Sequence, residues 1–205
     1  MTPSPPASAR PPLWKNPWAV SFAVGIVALT VLRFSQQAFL HAPPPGPSLG
    51  TWQLRTADGT PYGSQQLLGR VWIVSTATAP EALARFGSIH RHLDDLGEKI
   101  VLVSVVADAG AVQPDAGSSW VALTGDRAEL EGLVMAHLRP AFVQFPPTVT
   151  ANVDAGTTFA DFAQLAAFGV VDQKGFIRGF WPDADLGRGN VINAARLLVK
   201  KPDPP

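Results

Sequence analysis

Residues 69–76, "GRVWIVST", form a continuous apolar run that stops at small polar residues, and four positions later Pro80 stands before an amphipathic stretch. A strand apolar on both faces belongs inside a sheet that is covered on both sides. Proline costs little in the first turn of a helix, where its missing N–H would have no partner anyway. Buried strand followed by proline-opened helix restricts the chain more than any other feature, because it asks for an α/β layer.

The remaining segments agree. "TWQLRTADGTPYG" predicts a short hairpin about Asp58-Gly59, a strong turn dipeptide. In "PEALARFGSIHRHLDDLG", Leu83, Phe86, Ile89, Leu93 and Leu96 recur at near-helical spacing, with Gly97 as a stop. "KIVLVSVVAD", 99–108, predicts a second buried strand and "SWVALTG" a short third. Asp126 is placed to cap "RAELEGLVMAHL". "AAFGVVD", "QKG" and "FIRGFW" predict a hairpin, and "LGRGNVINAARLLVKK" a closing amphipathic helix with a basic end. The predicted order is hairpin, β, α, β, β, α, hairpin, α.

The chain has 205 residues and contains no cysteine, which excludes disulfides, thiolate metal sites and cysteine nucleophiles. Methionine, the other soft donor, occurs only as Met1 and Met135. The formal net charge is zero, so bulk attraction to nucleic acid has no support.

The basic residues Arg10, Lys15, Arg33 and Arg55 all precede the first acid, Asp58. Between Lys15 and Arg33 lies "PWAVSFAVGIVALTVL", residues 17–32, without a charge. It is shorter than the ~20 residues that span hydrocarbon, but extension through "RFSQQAFL" reaches that length if Arg33 snorkels. Trp14 and Trp18 stand where an interfacial belt would be. A cleaved signal peptide has a similar pattern, yet "AFLHAPP" is a poor cleavage site, and an uncleaved anchor is the preferred reading. Positive residues ahead of the run put the N-terminus in the cytoplasm. The expected organisation is a disordered cytoplasmic start (1–15), a transmembrane anchor (16–40), a Pro-rich spacer (41–50) lifting a domain off the bilayer, that domain (51–200), and a tail (201–205).

From about residue 48 to 200 the order and spacing of "WQLRTADGTPYGSQQLLGRVWIVS", "STATAPEALARF", "KIVLVSVVAD", "SWVALTGDRAELEGL" and "FGVVDQKGFIRGFW" resemble the SCO/SenC family. These are thioredoxin-like, membrane-anchored, copper-handling assembly factors of cytochrome oxidase. The resemblance implies a thioredoxin-like fold of the SCO type with an N-terminal hairpin, and a domain on the periplasmic or outer face of the inner (cytoplasmic) membrane.

It also locates a site. The family's CPxxC-type cysteines would fall at Ala79 and Leu83, around Pro80, and its histidine near Gln164. Copper needs thiolate and imidazole donors. Alanine and leucine offer no lone pair, and glutamine only a hard oxygen. The resemblance therefore implies a degenerate member that has lost copper binding and thiol redox activity. It is expected to be no enzyme, to hold no cofactor, and to act through contacts with a respiratory complex or a catalytic SCO relative.

Other candidates carry less. His90 and His92, two apart on a predicted helix, point about 200° apart; His41 lies in the spacer, and His137 at a helix end suits the dipole. Asp183 and Asp185 offer a cation site or caps of the last helix, with capping the preferred reading, and Asp94 and Asp95 read as a solvated face. "GRGN", 187–190, lacks the context of a dinucleotide fingerprint. The insert 144–162 reads as a surface excursion or a partner-binding loop. Trp120, Phe142, Phe145, Phe180 and Trp181 are core residues by default and an apolar patch if the protein is a permanent subunit of a membrane complex. The alternative of another class is a copper chaperone or thioredoxin-like enzyme with relocated ligands, which requires clustered histidines and carboxylates away from Ala79 and Leu83.

Overall fold

In the computed structural model the described residues are 17–38, 42–76, 79–107, 119–144, 156–164 and 167–201. They fall into two units, Met1–His41 and Ala42–Pro205. The expected disordered start and the tail lie outside the described residues, apart from Lys201.

The first unit contains one helix, α1 (Pro17–Ala38). Its apolar side chains are exposed, among them Trp18, Phe22, Val24, Val27, Leu29 and Val31. Side chains along α1 are described only as far as Val31, and among the described residues no helix is long and apolar enough to cross a membrane.

The second unit is built on a seven-stranded sheet of order β2-β1-β5-β4-β3-β6-β7. A hairpin, β1 (Gln53–Thr56) and β2 (Pro61–Gly63), turns at Asp58-Gly59, where Gly59 has φ of 84°. A single turn, α2 (Ser64–Leu67), leads to β3 (Val71–Ser75), all of whose residues are buried. Next come α3 (Pro80–Leu93) and β4 (Ile100–Val105), which lies parallel to β3 with Val71 opposite Ile100. β5 (Trp120–Thr124) continues parallel to β4 and pairs antiparallel with the end of β1. β6 (Ala167–Val171) and β7 (Ile177–Pro182) form the second hairpin, in which β6 pairs antiparallel with β3. The expected elements occur in the expected order, with two short helices added, α2 and α6 (Phe159–Gln164), and the fold is a mixed α/β layer.

Alternation along the central strands sends side chains to two cores. Ile73, Ile100 and Leu102 meet Phe86, Ile89 and Leu93 of α3, and Val191, Ala195 and Leu198 of the closing helix α7 (Asp185–Lys200). On the opposite face, Trp72, Val74, Val101 and Val103 meet Leu130, Leu133, Val134 and Leu138. Those residues belong to one helical stretch made of α4 (Arg127–Gly132), a π turn (Leu133–Leu138) and α5 (Arg139–Gln144). Asp126 caps it as expected, accepting from Glu129 N at 2.8 Å while Glu129 answers to Asp126 N at 2.9 Å. The wide turn precedes Pro140: a proline inside a helix cannot donate to the carbonyl four residues back, and here Arg139 N reaches Val134 O, five residues back. The helix therefore runs past His137, which does not sit at a helix end; its ring lies beside Gly50.

Two further expectations change. The last helix is capped at Ala184, with no side-chain cap bond: Asp183 pairs with Arg85 of α3, and Asp185 with Arg188. The spacer is not a free-standing stalk. Among its described residues Leu49 is 1% exposed, Ser48 bridges Phe176, and Pro43 O accepts from Arg178 at 2.8 Å. The sequence treats prolines as spacer material, but a proline still offers a carbonyl to a neighbouring strand.

Candidate functional site

The positions singled out in the sequence come from three elements. β3 ends at Ser75 and is followed by Thr76, both buried. Ala79 is the N-cap of α3, in extended conformation with no side-chain cap bond, and it is exposed. Leu83 lies one turn on, its N–H donating to Ala79 O at 3.0 Å. Gln164 is the last residue of α6 (Phe159–Gln164) and is exposed. The register sets Phe168 of β6 opposite Ser75 of β3, so the approach to β6 and the exit from β3 share one end of the sheet. The helix that carries Ala79 and Leu83 after β3, and the helix that ends at Gln164 before β6, thus attach at the same end of the sheet.

The surroundings of Leu83 are apolar. Leu83 is 6% exposed and packs with Val106 and Ala122, with Trp120 against them. Trp120 is fixed in turn: its indole N–H donates to Ser104 Oγ at 2.8 Å, and its ring meets Phe86 edge-on, centroids 5.7 Å apart. Gly87 leaves room for that ring, since a Cβ there would meet Trp120 Cζ3 at 3.0 Å. Where the resemblance implies a thiolate, the side chain is a buried hydrocarbon in a packed cluster. An open surface hollow of about 380 Å³ shares Trp120 and Ala122 with this cluster and is lined also by Thr56, Asp58 and Thr60 of the first hairpin. Asp58 is held below the usual carboxylate range chiefly by the Thr56 hydroxyl, helped by Thr60 N and Oγ1 at 3.2 and 3.1 Å.

One charged pair was not foreseen. Asp183 follows β7 at the same end of the sheet, because Pro182 pairs with Ala167. Its side chain is wholly buried; Oδ2 meets Arg85 Nε, while Oδ1 is buried with no hydrogen-bond partner. The nearest sequence signal was the spacing Pro182-Asp183 before a helix, which equally suits a cap.

The other candidates do not converge. His90 Nε2 lies 3.2 Å from Ser119 Oγ, and His92 Nδ1 lies 2.8 Å from Ser88 O, so the two rings serve different neighbours. His41 and Phe145 are outside the described residues. Asp94 and Asp95 are exposed, and Asp95 receives Arg196 at two oxygens, 2.7 and 2.8 Å. Phe142 and Phe180 are buried, and Trp120 and Trp181 are partly buried against the cores, so none of these four forms an exposed patch. Of the insert, 145–155 is outside the described residues; its end is α6, started by a reciprocal cap in which Thr158 N donates to Asp161 at 2.9 Å and Asp161 N to Thr158 Oγ1 at 3.3 Å. The pattern Thr-x-x-Asp would have revealed that helix. Among the described residues no group of three histidine, cysteine or acidic side chains is placed to hold a metal ion.

Solved structures with this architecture include SCO proteins. BsSco, described as a member of the Sco family of cytochrome c oxidase assembly proteins, superposes with a TM-score of 0.55 at 15% identity, over 77% of this chain and 97% of its own. A SCO1/SenC family lipoprotein from Bacillus anthracis gives 0.52 at 20% identity, over 76% and 96%. Yeast Sco1 with copper bound gives 0.53 at 19% identity, over 77% and 92%. The second unit therefore has the fold of the SCO/SenC proteins, on a chain without a cysteine. No protein-family model matches the sequence, and no curated protein matches it.

Proposed function

We propose that this chain is a membrane-anchored, non-catalytic SCO-like protein that has given up copper binding and thiol exchange and acts through protein contacts. Its partner is a respiratory oxidase during assembly, or a membrane complex in which it is an accessory subunit. One observation carries the reading: on an SCO-type frame, the second thiolate position is Leu83, buried against Val106 and Ala122. A soft-metal site requires thiolate or imidazole at that point, and a packed leucine supplies neither.

The cytochrome oxidase connection is supported by BsSco, which is described as a member of a family of cytochrome c oxidase assembly proteins. Anchoring is supported by the uncharged run of residues 17–32, by basic residues before it, and by the outward-facing apolar side chains of α1. On this reading the N-terminus is in the cytoplasm and the domain is on the outer face of the inner membrane.

The test is affinity purification of the tagged full chain from its native membranes in mild detergent, with proteins identified and copper quantified in the same sample. Oxidase subunits recovered with a copper-free bait support the reading. A bait that comes alone and carries stoichiometric copper overturns it and revives the relocated-ligand alternative.

A further inference from the structure

The segment from Pro43 to Leu49 lies along the outer side of the β6–β7 turn and of Ile177, the first residue of β7. Leu49 N donates to Gly175 O at 3.0 Å and Ile177 N to Pro47 O at 3.2 Å, the two bonds that frame the antiparallel bridge between Ser48 and Phe176. Gly46 N adds a bond to Ile177 O at 2.8 Å. Both main-chain groups of Ile177 that face away from β6 are thus taken by the strap. Its sequence, "PPPGPSL", contains four prolines, which have no N–H. The N–H groups of Gly46 and Leu49 are both spent on the β7 hairpin. Such a strand accepts pairing on one side and offers almost no donors on the other, which is how edge strands are closed to further addition.

A side chain locks the strap in place. Arg178 is 2% exposed, the bulkiest of the fully buried side chains. Its Nε donates to Asp172 Oδ2 at 2.7 Å, Nη2 lies 2.7 Å from the same oxygen, and Nη1 donates to Pro43 O at 2.8 Å. Asp172 Oδ1 accepts from Lys174 N and Phe176 N, both at 2.9 Å, which holds the hairpin turn. One buried guanidinium therefore ties the strap to the turn of the β6–β7 hairpin. A buried arginine needs such partners, and a strap that left would strip it of one.

We propose that residues 43–49 are a proline-terminated guard segment, latched by Arg178, that covers the start of the β7 edge at Phe176 and Ile177 and keeps copies of this chain from pairing there. This holds whatever the domain's partner is.

The experiment is hydrogen exchange and sedimentation of the full chain in detergent micelles, comparing wild type with Arg178→Met and Gly46→Pro. In wild type, the amides of Leu49 and Ile177 are expected to exchange on the order of 100-fold slower than in a free peptide. In either variant that protection falls at least ~10-fold while Ile73 and Leu102 keep theirs, and self-association tightens about 10-fold. If Arg178→Met loses protection throughout the sheet, Gly46→Pro, which removes the main-chain donor to Ile177 O and leaves every core side chain unchanged, decides alone. Free-peptide exchange of the wild-type strap, or a loosened strap without tighter self-association, overturns the proposal.

Discussion

Leu83 is the residue on which the reading turns, because its side chain is structural where the SCO frame implies a ligand. Leu83→Ala removes buried methyl groups from a cluster it shares with Val106 and Ala122. The expected loss is about 2–3 kcal/mol, a fall in Tm of roughly 5–10 °C, measured by thermal unfolding. A loss below ~0.5 kcal/mol would mean the position is not packed. At the surface, Arg196 holds the Asp95 carboxyl below its ordinary value of 3.8, chiefly through their hydrogen bonds. A depressed folded-state pKa gives stability that is present above the unfolded value and lost as pH falls through the folded one. Asp95→Asn should therefore lower stability at neutral pH and flatten its decline below about pH 4; equal acid limbs in the two proteins would show that the pair contributes nothing.

At the scale of elements, two glycines set the β6–β7 hairpin. A Cβ on Gly169 would run into the Phe180 ring across the ladder, and one on Gly179 into Trp181. Gly169→Ala is expected to cost about 1–3 kcal/mol through overpacking, read from denaturant unfolding, while alanine at Gly132, which meets nothing, is expected to be neutral or stabilising. The hairpin itself was legible in "VVDQKGFIRGFW", and so were the buried strands and α3, because hydrophobic period and turn residues act locally. The Asp126 cap was legible for the same reason. The strap, the Arg85–Asp183 pair and the π turn were not. The strap and the ion pair depend on partners far along the chain, Arg85 and Asp183 being 98 residues apart. The π turn is a local consequence of Pro140 that periodicity alone does not report. The vacated site was legible only through the resemblance: nothing in "ATAPEALARF" by itself asks for thiols, and burial of Leu83 came from the packing of β4, β5 and α3.

Across the whole molecule, the two units make separable predictions. After an alkaline carbonate wash the full chain is expected to stay with membranes, while a chain starting at Ala42, the first residue of the compact second unit, is released. Retention of that shorter chain would move the membrane contact from α1 to the domain. The domain's own chemistry is tested most directly by competition for Cu(I) between the full chain in detergent and a calibrated chelator. The account predicts no 1:1 complex with the wild-type chain at any chelator strength suited to thiolate sites, since neither Ala79 nor Leu83 supplies a donor. A tight stoichiometric Cu(I) complex would contradict it and place the ligands elsewhere on the fold.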